Sequence, residues 1–176
     1  IEPIQSRCAV FRFRPLAEDQ ILEMVQEVAE SEELVLEDHG AAAVVHVAMG
    51  DLRRAITALQ VAASLSNNIT RDLVYETTAT APPEELHAFL RSCQEDGFQP
   101  SRMKMYAIID RFGLAGTDIV NQLHRSLADV QFMTEREKLA VTEAMAEADF
   151  RLVEGGGESL QLDALTARIS TILKIG

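Results

Sequence analysis

The sequence predicts an all-α fold made of two helical domains, preceded by one short strand. Three observations carry this prediction. Apolar residues recur at three- and four-residue intervals along most of the chain, which is typical of amphipathic helices. Only Cys8–Phe13 alternates in the way a β-strand does, and Pro15 follows it. Two prolines after small polar residues at Thr77–Pro83 interrupt the helical pattern and indicate a linker between the domains.

The first set of helices is identified from apolar stripes and capping residues. After the helix that follows Pro15, the predicted segments are Glu37–Met49, Asp51 to about Leu65, and Thr70–Tyr75. Asp51 suits a helix start because its side-chain oxygen can accept N–H groups that the first turn leaves unpaired. The apolar residues expected on one face of the helix after Asp51 are Leu52, Ile56, Leu59 and Ala63.

The second set consists of five helices. Pro83 suits the first turn of the first one, because its fixed φ and missing N–H cost nothing there. The inward face of that helix carries Leu86, Phe89, Leu90 and Cys93. The other four cover about Pro100–Phe112, Thr117–Val130, Thr134–Val153 and Glu158–Leu173. The last of them has an apolar stripe of Leu162, Leu165, Ile169, Ile172 and Leu173.

Composition excludes several classes of protein. The 176 residues include 28 acidic and 16 basic side chains, a net charge of −12, whereas a free-standing nucleic-acid binder needs positive charge for the phosphate backbone. The sequence shows neither an apolar run long enough to span a membrane nor a secretory leader, so we expect a cytoplasmic location. Abundant carboxylates with few lysines resemble the proteins of salt-adapted cells, and an acidic domain from an ordinary cell is the alternative.

No self-contained catalytic centre can be assembled from the chemically active residues. The phosphate-binding motif G-x-x-x-x-G-K-[ST] is missing, and the glycines at 155–157 lack the lysine and hydroxyl that it needs. The two cysteines, Cys8 and Cys93, have no neighbouring base and form no zinc motif. Scattered histidines give no reason to expect a metal site; they are His39, His46, His87 and His124.

Two arginine sites remain. Arg7 precedes the predicted strand, and Arg53 and Arg54 lie in the first turn of the helix after Asp51. Cations at a helix N-terminus oppose the helix dipole, and such unfavourable placements are common at functional sites. An arginine that reaches a phosphate would account for both sites, because its planar guanidinium binds two phosphate oxygens at once. The alternative is that these are surface arginines paired with Asp51 and neighbouring glutamates.

Longer motifs resemble one family. The segment IEPIQSRCAVFRFRPL at 1–16 is similar to the SRC segment of clamp-loader subunits, and GDLRRAI at 50–56 resembles their sensor-2 segment. Four further segments resemble their collar domain: GLAGTDI at 113–119, QLHR at 122–125, ADFRLVEG at 148–155 and QLDAL at 161–165. These motifs follow the expected order along the chain, and the resemblance is closest to the archaeal replication factor C small subunits.

The resemblance implies the C-terminal part of an AAA+ ATPase subunit. Its parts would be the end of the ATPase domain (1–15), a helical lid with sensor 2 (16–79) and a helical collar for oligomerisation (82–176). Arg7 would be the arginine finger that acts on ATP bound to a neighbouring subunit. Arg53 would be the sensor-2 arginine on the phosphates of the subunit's own ATP, with Arg54 a weaker candidate. In the collar, the apolar faces at Ile119–Val130 and Leu162–Leu173 would pack within the domain and against neighbours.

The function that the resemblance implies is the loading of a ring-shaped sliding clamp onto primed DNA during replication, driven by ATP with Mg²⁺. The family's phosphate loop, Mg²⁺-binding segment and clamp-contacting helix are missing from this sequence, so the chain alone is not expected to hydrolyse ATP or to bind it tightly. Expected partners are other clamp-loader subunits, through the collar, and the sliding clamp and primer–template DNA, through N-terminal regions that the sequence lacks. Two alternatives stay open: a non-enzymatic helical adaptor without nucleotide contact, and a helical DNA-binding module.

Overall fold

The computed structural model describes residues 8, 9, 11 and 14–175, and the chain divides into two compact units. The first unit ends at Val74 and the second begins at Tyr75. Helices dominate the described residues, so the all-α class is confirmed. The strand expected at Cys8–Phe13 falls in part outside the described residues, and its described members belong to neither a helix nor a strand. The identification of the two units as lid and collar stays a prediction.

The described part of the first unit consists of helices around a very small sheet. In chain order the elements are α1 (Glu18–Ser31), β1 (Val35–Leu36), α2 (Asp38–Ala48), α3 (Leu52–Ala63), β2 (Asn68–Ile69) and α4 (Arg71–Thr77), whose last residues belong to the second unit. The sequence predicts all of these helices. It does not predict the strands, which pair in parallel, because a strand of two residues is too short to show alternation.

The core of the first unit depends on small side chains where α2 packs against α3. The buried alanines are Ala41, Ala43 and Ala48 in α2 and Ala55, Ala58 and Ala62 in α3. On the apolar face predicted for α3, Leu59 is fully buried, while Leu52, Ile56 and Ala63 are partly buried. The alanines are the more deeply buried set, because two helices approach each other most closely where their side chains are small.

The described part of the second unit is a helical bundle centred on its last helix. The elements are α5 (Pro83–Glu95), α6 (Phe98–Phe112), α7 (Gly116–Ser126), a 3₁₀ turn (Leu127–Asp129), α8 (Glu135–Val153) and α9 (Glu158–Ile175). Helix α9 packs against α5, α6, α7 and α8. The inward residues expected on α5 are all buried, and on α9 only Ile172 is less than fully buried. Among the helices of residues 14–175, none is long and apolar enough to cross a membrane.

The segment expected to be a linker, Thr77–Pro83, is anchored to the helices of the second unit. Gln122 of α7 binds it twice. The N–H of Ala81 donates to Gln122 Oε1 at 2.8 Å, and Gln122 Nε2 donates to the carbonyl of Ala79 at 3.1 Å. Ala81 is also fully buried. The segment is thus a packed part of the second unit.

Arg111, at the end of α6, contacts the helices on both sides of this segment. Its Nε lies 3.4 Å from Glu76 Oε1 in α4, and its Nη1 lies 3.6 Å from Glu85 Oε1 in α5. Each of these ion pairs is about half exposed and contributes little stability by itself. Together with the two hydrogen bonds of Gln122, they hold both ends of the segment on the bundle.

Carboxylates pair with the N-terminal backbone amides of two helices in this unit. At the start of α8, the Thr134 hydroxyl and N–H both donate to Glu137 Oε2 at 2.7 Å, and the Glu137 N–H donates to Thr134 Oγ1 at 3.3 Å. The hydrogen bonds from Thr134 lower the pKa of Glu137. At the start of α7, the N–H of Gly116 donates to Glu158 Oε2 at 2.8 Å. Negative charge at these positions also interacts favourably with the helix dipole.

Candidate functional site

The first turn of α3 carries the arginine pair that the sequence predicts as a phosphate contact. Asp51 caps this helix as expected, because its Oδ1 accepts the backbone N–H groups of Arg53 at 2.8 Å and of Arg54 at 3.2 Å. The carboxylate therefore occupies two amides that an anion could otherwise use. It also offsets part of the repulsion between the arginines and the helix dipole. What this end of the helix offers a ligand is its pair of guanidinium groups.

Both arginine side chains are exposed to solvent. Neither guanidinium forms an ion pair or a hydrogen bond with any residue that the structure describes. Asp51, the carboxylate nearest in sequence, is bonded to backbone amides, so the expected surface pairing of Arg53 and Arg54 with Asp51 is not seen. A guanidinium without a carboxylate partner can bind an anionic ligand without first giving up an ion pair.

The turn before Asp51 is in close contact with the chain that leads into α1. Met49 and Gly50 both have left-handed backbone conformations, with φ of 50° and 82°. The N–H of Leu16 donates to the carbonyl of Gly50 at 2.9 Å. A methyl group on Gly50 would lie 2.5 Å from the Cβ of Pro15. Position 50 therefore requires glycine, both for its positive φ and because Pro15 fills the space that a side chain would need.

The structure does not place the other candidate residues, Arg7 and Cys93, at this site. Arg7 lies outside the described residues, so its role as an arginine finger stays a prediction. Cys93 is buried in the second unit, where desolvation raises the pKa of its thiol, and a thiol of this kind is a poor nucleophile. Within the described residues, no three His, Cys, Asp or Glu side chains converge as metal ligands would.

A second candidate site is an exposed apolar face on α8, defined by Leu139, Phe150 and Val153. These side chains are 71%, 64% and 70% exposed. The first two are 11 residues apart, which is about three helical turns, and Val153 follows Phe150 by three residues, so all share one side of the helix. The sequence does not predict this face, because charged and small residues interrupt the apolar stripe.

The faces expected to meet neighbouring subunits are covered within the second unit itself. The Ile119–Val130 and Leu162–Leu173 segments direct their large apolar side chains into the bundle; for example, Leu123 and Ile169 are fully buried. They fulfil the expected packing within the domain but leave little apolar surface for a neighbour. The face on α8, in contrast, leaves large apolar side chains exposed to solvent.

Comparison with known proteins gives a consistent result. Residues 81–168 match the model of the replication factor C C-terminal domain. The chain is 44% identical over 167 residues to the replication factor C small subunit of Methanocella arvoryzae. It is 39% identical over 172 residues to that of Methanococcus maripaludis strain C7, and 40% identical over 170 residues to that of Natronomonas pharaonis. These alignments cover 95%, 98% and 97% of this chain, but only 52%, 54% and 52% of the relatives. The chain thus spans about half the length of the curated relatives it matches.

Proposed function

Because this chain belongs to the replication factor C family, we propose that it supplies the lid and the collar of a clamp-loader small subunit. Residues 16–79 would be the lid and residues 82–176 the collar. The ATPase domain, with the phosphate loop and the Mg²⁺-binding residues, would correspond to the part of the relatives that this chain does not span. The assembled complex would use ATP to load a sliding clamp onto primed DNA.

The observation that supports a nucleotide contact is the state of Arg53. It lies on a helix turn fixed by Asp51, its side chain is exposed, and its guanidinium has no partner among the described residues. Such a group can donate two parallel hydrogen bonds to phosphate oxygens. Its positive charge can also stabilise the negative charge that spreads over a transferring phosphoryl group. Arg54 points about 100° further around the helix, so the two side chains cannot approach one phosphate in the same way.

The roles assigned to the remaining residues follow from the same proposal. Arg7 would reach the ATP bound to a neighbouring subunit and act as its arginine finger. The α8 face of Leu139, Phe150 and Val153 would contact other clamp-loader subunits, because its large apolar side chains are left uncovered by the second unit. The clamp and the primer–template DNA would be bound through the part of the subunit that the chain does not span.

Substitution of Arg53 tests the nucleotide contact. In the subunit of which this chain is the proposed C-terminal part, we expect Arg53→Ala to weaken ATP binding at least about tenfold, since a charge-assisted hydrogen bond contributes roughly 1.5–3 kcal/mol. Arg54→Ala is the matched control, with an expected change below about threefold. The dissociation constants are measured by titrating a fluorescent ATP analogue, and thermal melting of each variant checks that folding is unchanged.

The same experiment separates the proposal from the adaptor alternative. Equal ATP affinities for the parent and the Arg53→Ala subunit would remove the nucleotide contact and favour a helical adaptor. Binding of this chain to duplex DNA that falls steeply with salt would instead support the DNA-binding module.

A further inference from the structure

We propose that Pro15 and Leu16 are positioning residues for Arg53. In this view, the chain segment that leads into α1 sets the orientation of the first turn of α3. It thereby fixes the position of the backbone from which the Arg53 side chain extends. The inference rests on the proposed function of Arg53 as a contact to ATP phosphates, and it names the residues that make this contact effective.

A short series of contacts joins the two segments. The Leu16 N–H binds the carbonyl of Gly50, and the ring of Pro15 packs against the Cα of Gly50, where no side chain fits. The next residue, Asp51, donates its N–H to Ala48 at 3.0 Å and accepts the N–H of Arg53 at 2.8 Å. Every contact in the series involves backbone atoms, a proline ring or a short side chain, so the series has little rotational freedom. A displacement at Pro15 therefore reaches the first turn of α3 with little loss.

The contact contributes little to the core. Pro15 is exposed and Leu16 is 38% exposed, so the two residues bury only a small apolar area. The requirement for glycine at position 50 also carries an entropic cost of folding. A contact that is costly and buries little is better explained by orientation than by stability, because a bidentate contact to phosphate is lost when its origin moves by about 1 Å.

Two substitutions disturb the contact in different ways, and a third is a matched control. Gly50→Ala introduces a methyl group against Pro15 and strains the left-handed backbone. Pro15→Ala removes the ring and adds nothing. Gly113→Ala is the control, because Gly113 has a φ of 64° and nothing within 4 Å of the added methyl group. It strains the backbone as Gly50→Ala does, by roughly 1 kcal/mol, without disturbing a contact.

ATP affinity is measured for the subunit of which this chain is the proposed C-terminal part, in a double-mutant cycle with Arg53→Ala. We expect Gly50→Ala and Pro15→Ala each to weaken ATP binding about three- to tenfold, and Gly113→Ala to leave it unchanged. In the Arg53→Ala background, Pro15→Ala should have no further effect, which a loss of general stability would not produce. If Gly50→Ala fails to fold in a melting experiment, the Pro15→Ala cycle decides the matter.

Three outcomes overturn the proposal and are distinguishable. If Arg53→Ala weakens ATP binding but Pro15→Ala changes it less than twofold, the positioning role fails while the proposed function stands. If Pro15→Ala weakens binding equally with and without Arg53, its effect does not pass through that arginine. If Arg53→Ala has no effect, the proposed function itself fails.

Discussion

Asp51 shows how one side chain decides what a helix end can bind. Its carboxylate accepts hydrogen bonds from the backbone N–H groups of Arg53 and Arg54 and so stabilises the first turn. These two N–H groups are then not available to bind an anion. The two guanidinium groups are left exposed. This cap is predictable from sequence because it involves residues within three positions of one another. The contact of Gly50 with Pro15 joins residues 35 positions apart, and no local sequence pattern predicts it.

Thr134 and Glu137 form a cap whose contribution depends on pH. The pKa of Glu137 is lower in the folded chain than its ordinary value of 4.5. Its contribution to stability is therefore present above pH 4.5 and is lost as the pH falls through the lower folded-state value. We expect Thr134→Ala to lower the free energy of unfolding by about 1 kcal/mol at pH 7, measured by chemical denaturation.

Glu137→Gln isolates the charge in the same measurement, because glutamine keeps the hydrogen-bond acceptor. The difference in unfolding free energy between the parent and Glu137→Gln should be largest near neutral pH and should shrink below about pH 4. Glu143→Gln, an exposed position in the middle of α8, is the control. A difference that stays constant from pH 7 to pH 3 would contradict the assigned role of the carboxylate.

At the scale of the helix, boundaries and faces differ in how far the sequence predicts them. Pro83 begins α5 and Gly113 ends α6 at the expected places, because capping and backbone preference are local properties. Which side of a helix faces inward depends on what packs against it. On α3 the alanines turn inward because α2 offers small residues there, and on α8 an apolar face is left outside because α9 covers only part of the helix.

The exposed face of α8 predicts a specific defect in assembly. Under the proposed function, we expect Phe150→Asp to reduce association with clamp-loader subunits at least tenfold, since a charge on that face would have to be desolvated in the contact. Met103→Asp on α6 is the matched control, because Met103 is 71% exposed and lies on a different helix. Association is measured by analytical ultracentrifugation of the mixed subunits. Retention of full affinity by Phe150→Asp would exclude this face as the contact.

At the scale of the whole molecule, 28 acidic residues face 16 basic ones, and several ion pairs among the described residues lie at the surface. Arg91–Glu95 on α5 and Arg151–Glu147 on α8 are each about half exposed. Such pairs contribute little stability, so the screening of these pairs by salt lowers the stability of the fold only slightly. The repulsion among unpaired carboxylates is screened at the same time. The net charge follows from composition alone and needs no knowledge of the fold.

Added salt should therefore stabilise the chain. We expect the melting temperature at pH 7 to rise by about 3–6 °C when KCl is raised from low concentration to about 1 M, which corresponds to roughly 1–2 kcal/mol for a chain of this size. The control is the same titration near the sequence pI of 4.7, where the net charge vanishes and the rise should be much smaller. A melting temperature that falls with KCl at pH 7 would show that the ion pairs outweigh the repulsion.

The two hydrogen bonds of Gln122 have a consequence for the exchange of modules between related proteins. A second unit transplanted at the prolines would contain Gln122 but not Ala79 and Ala81. The side-chain amide of Gln122 would then have to bind the backbone of the other protein. A transplant joined before Tyr75 carries both partners and the Glu76 that pairs with Arg111. The unit that can be inherited or recombined intact is therefore longer than the proline boundary indicates.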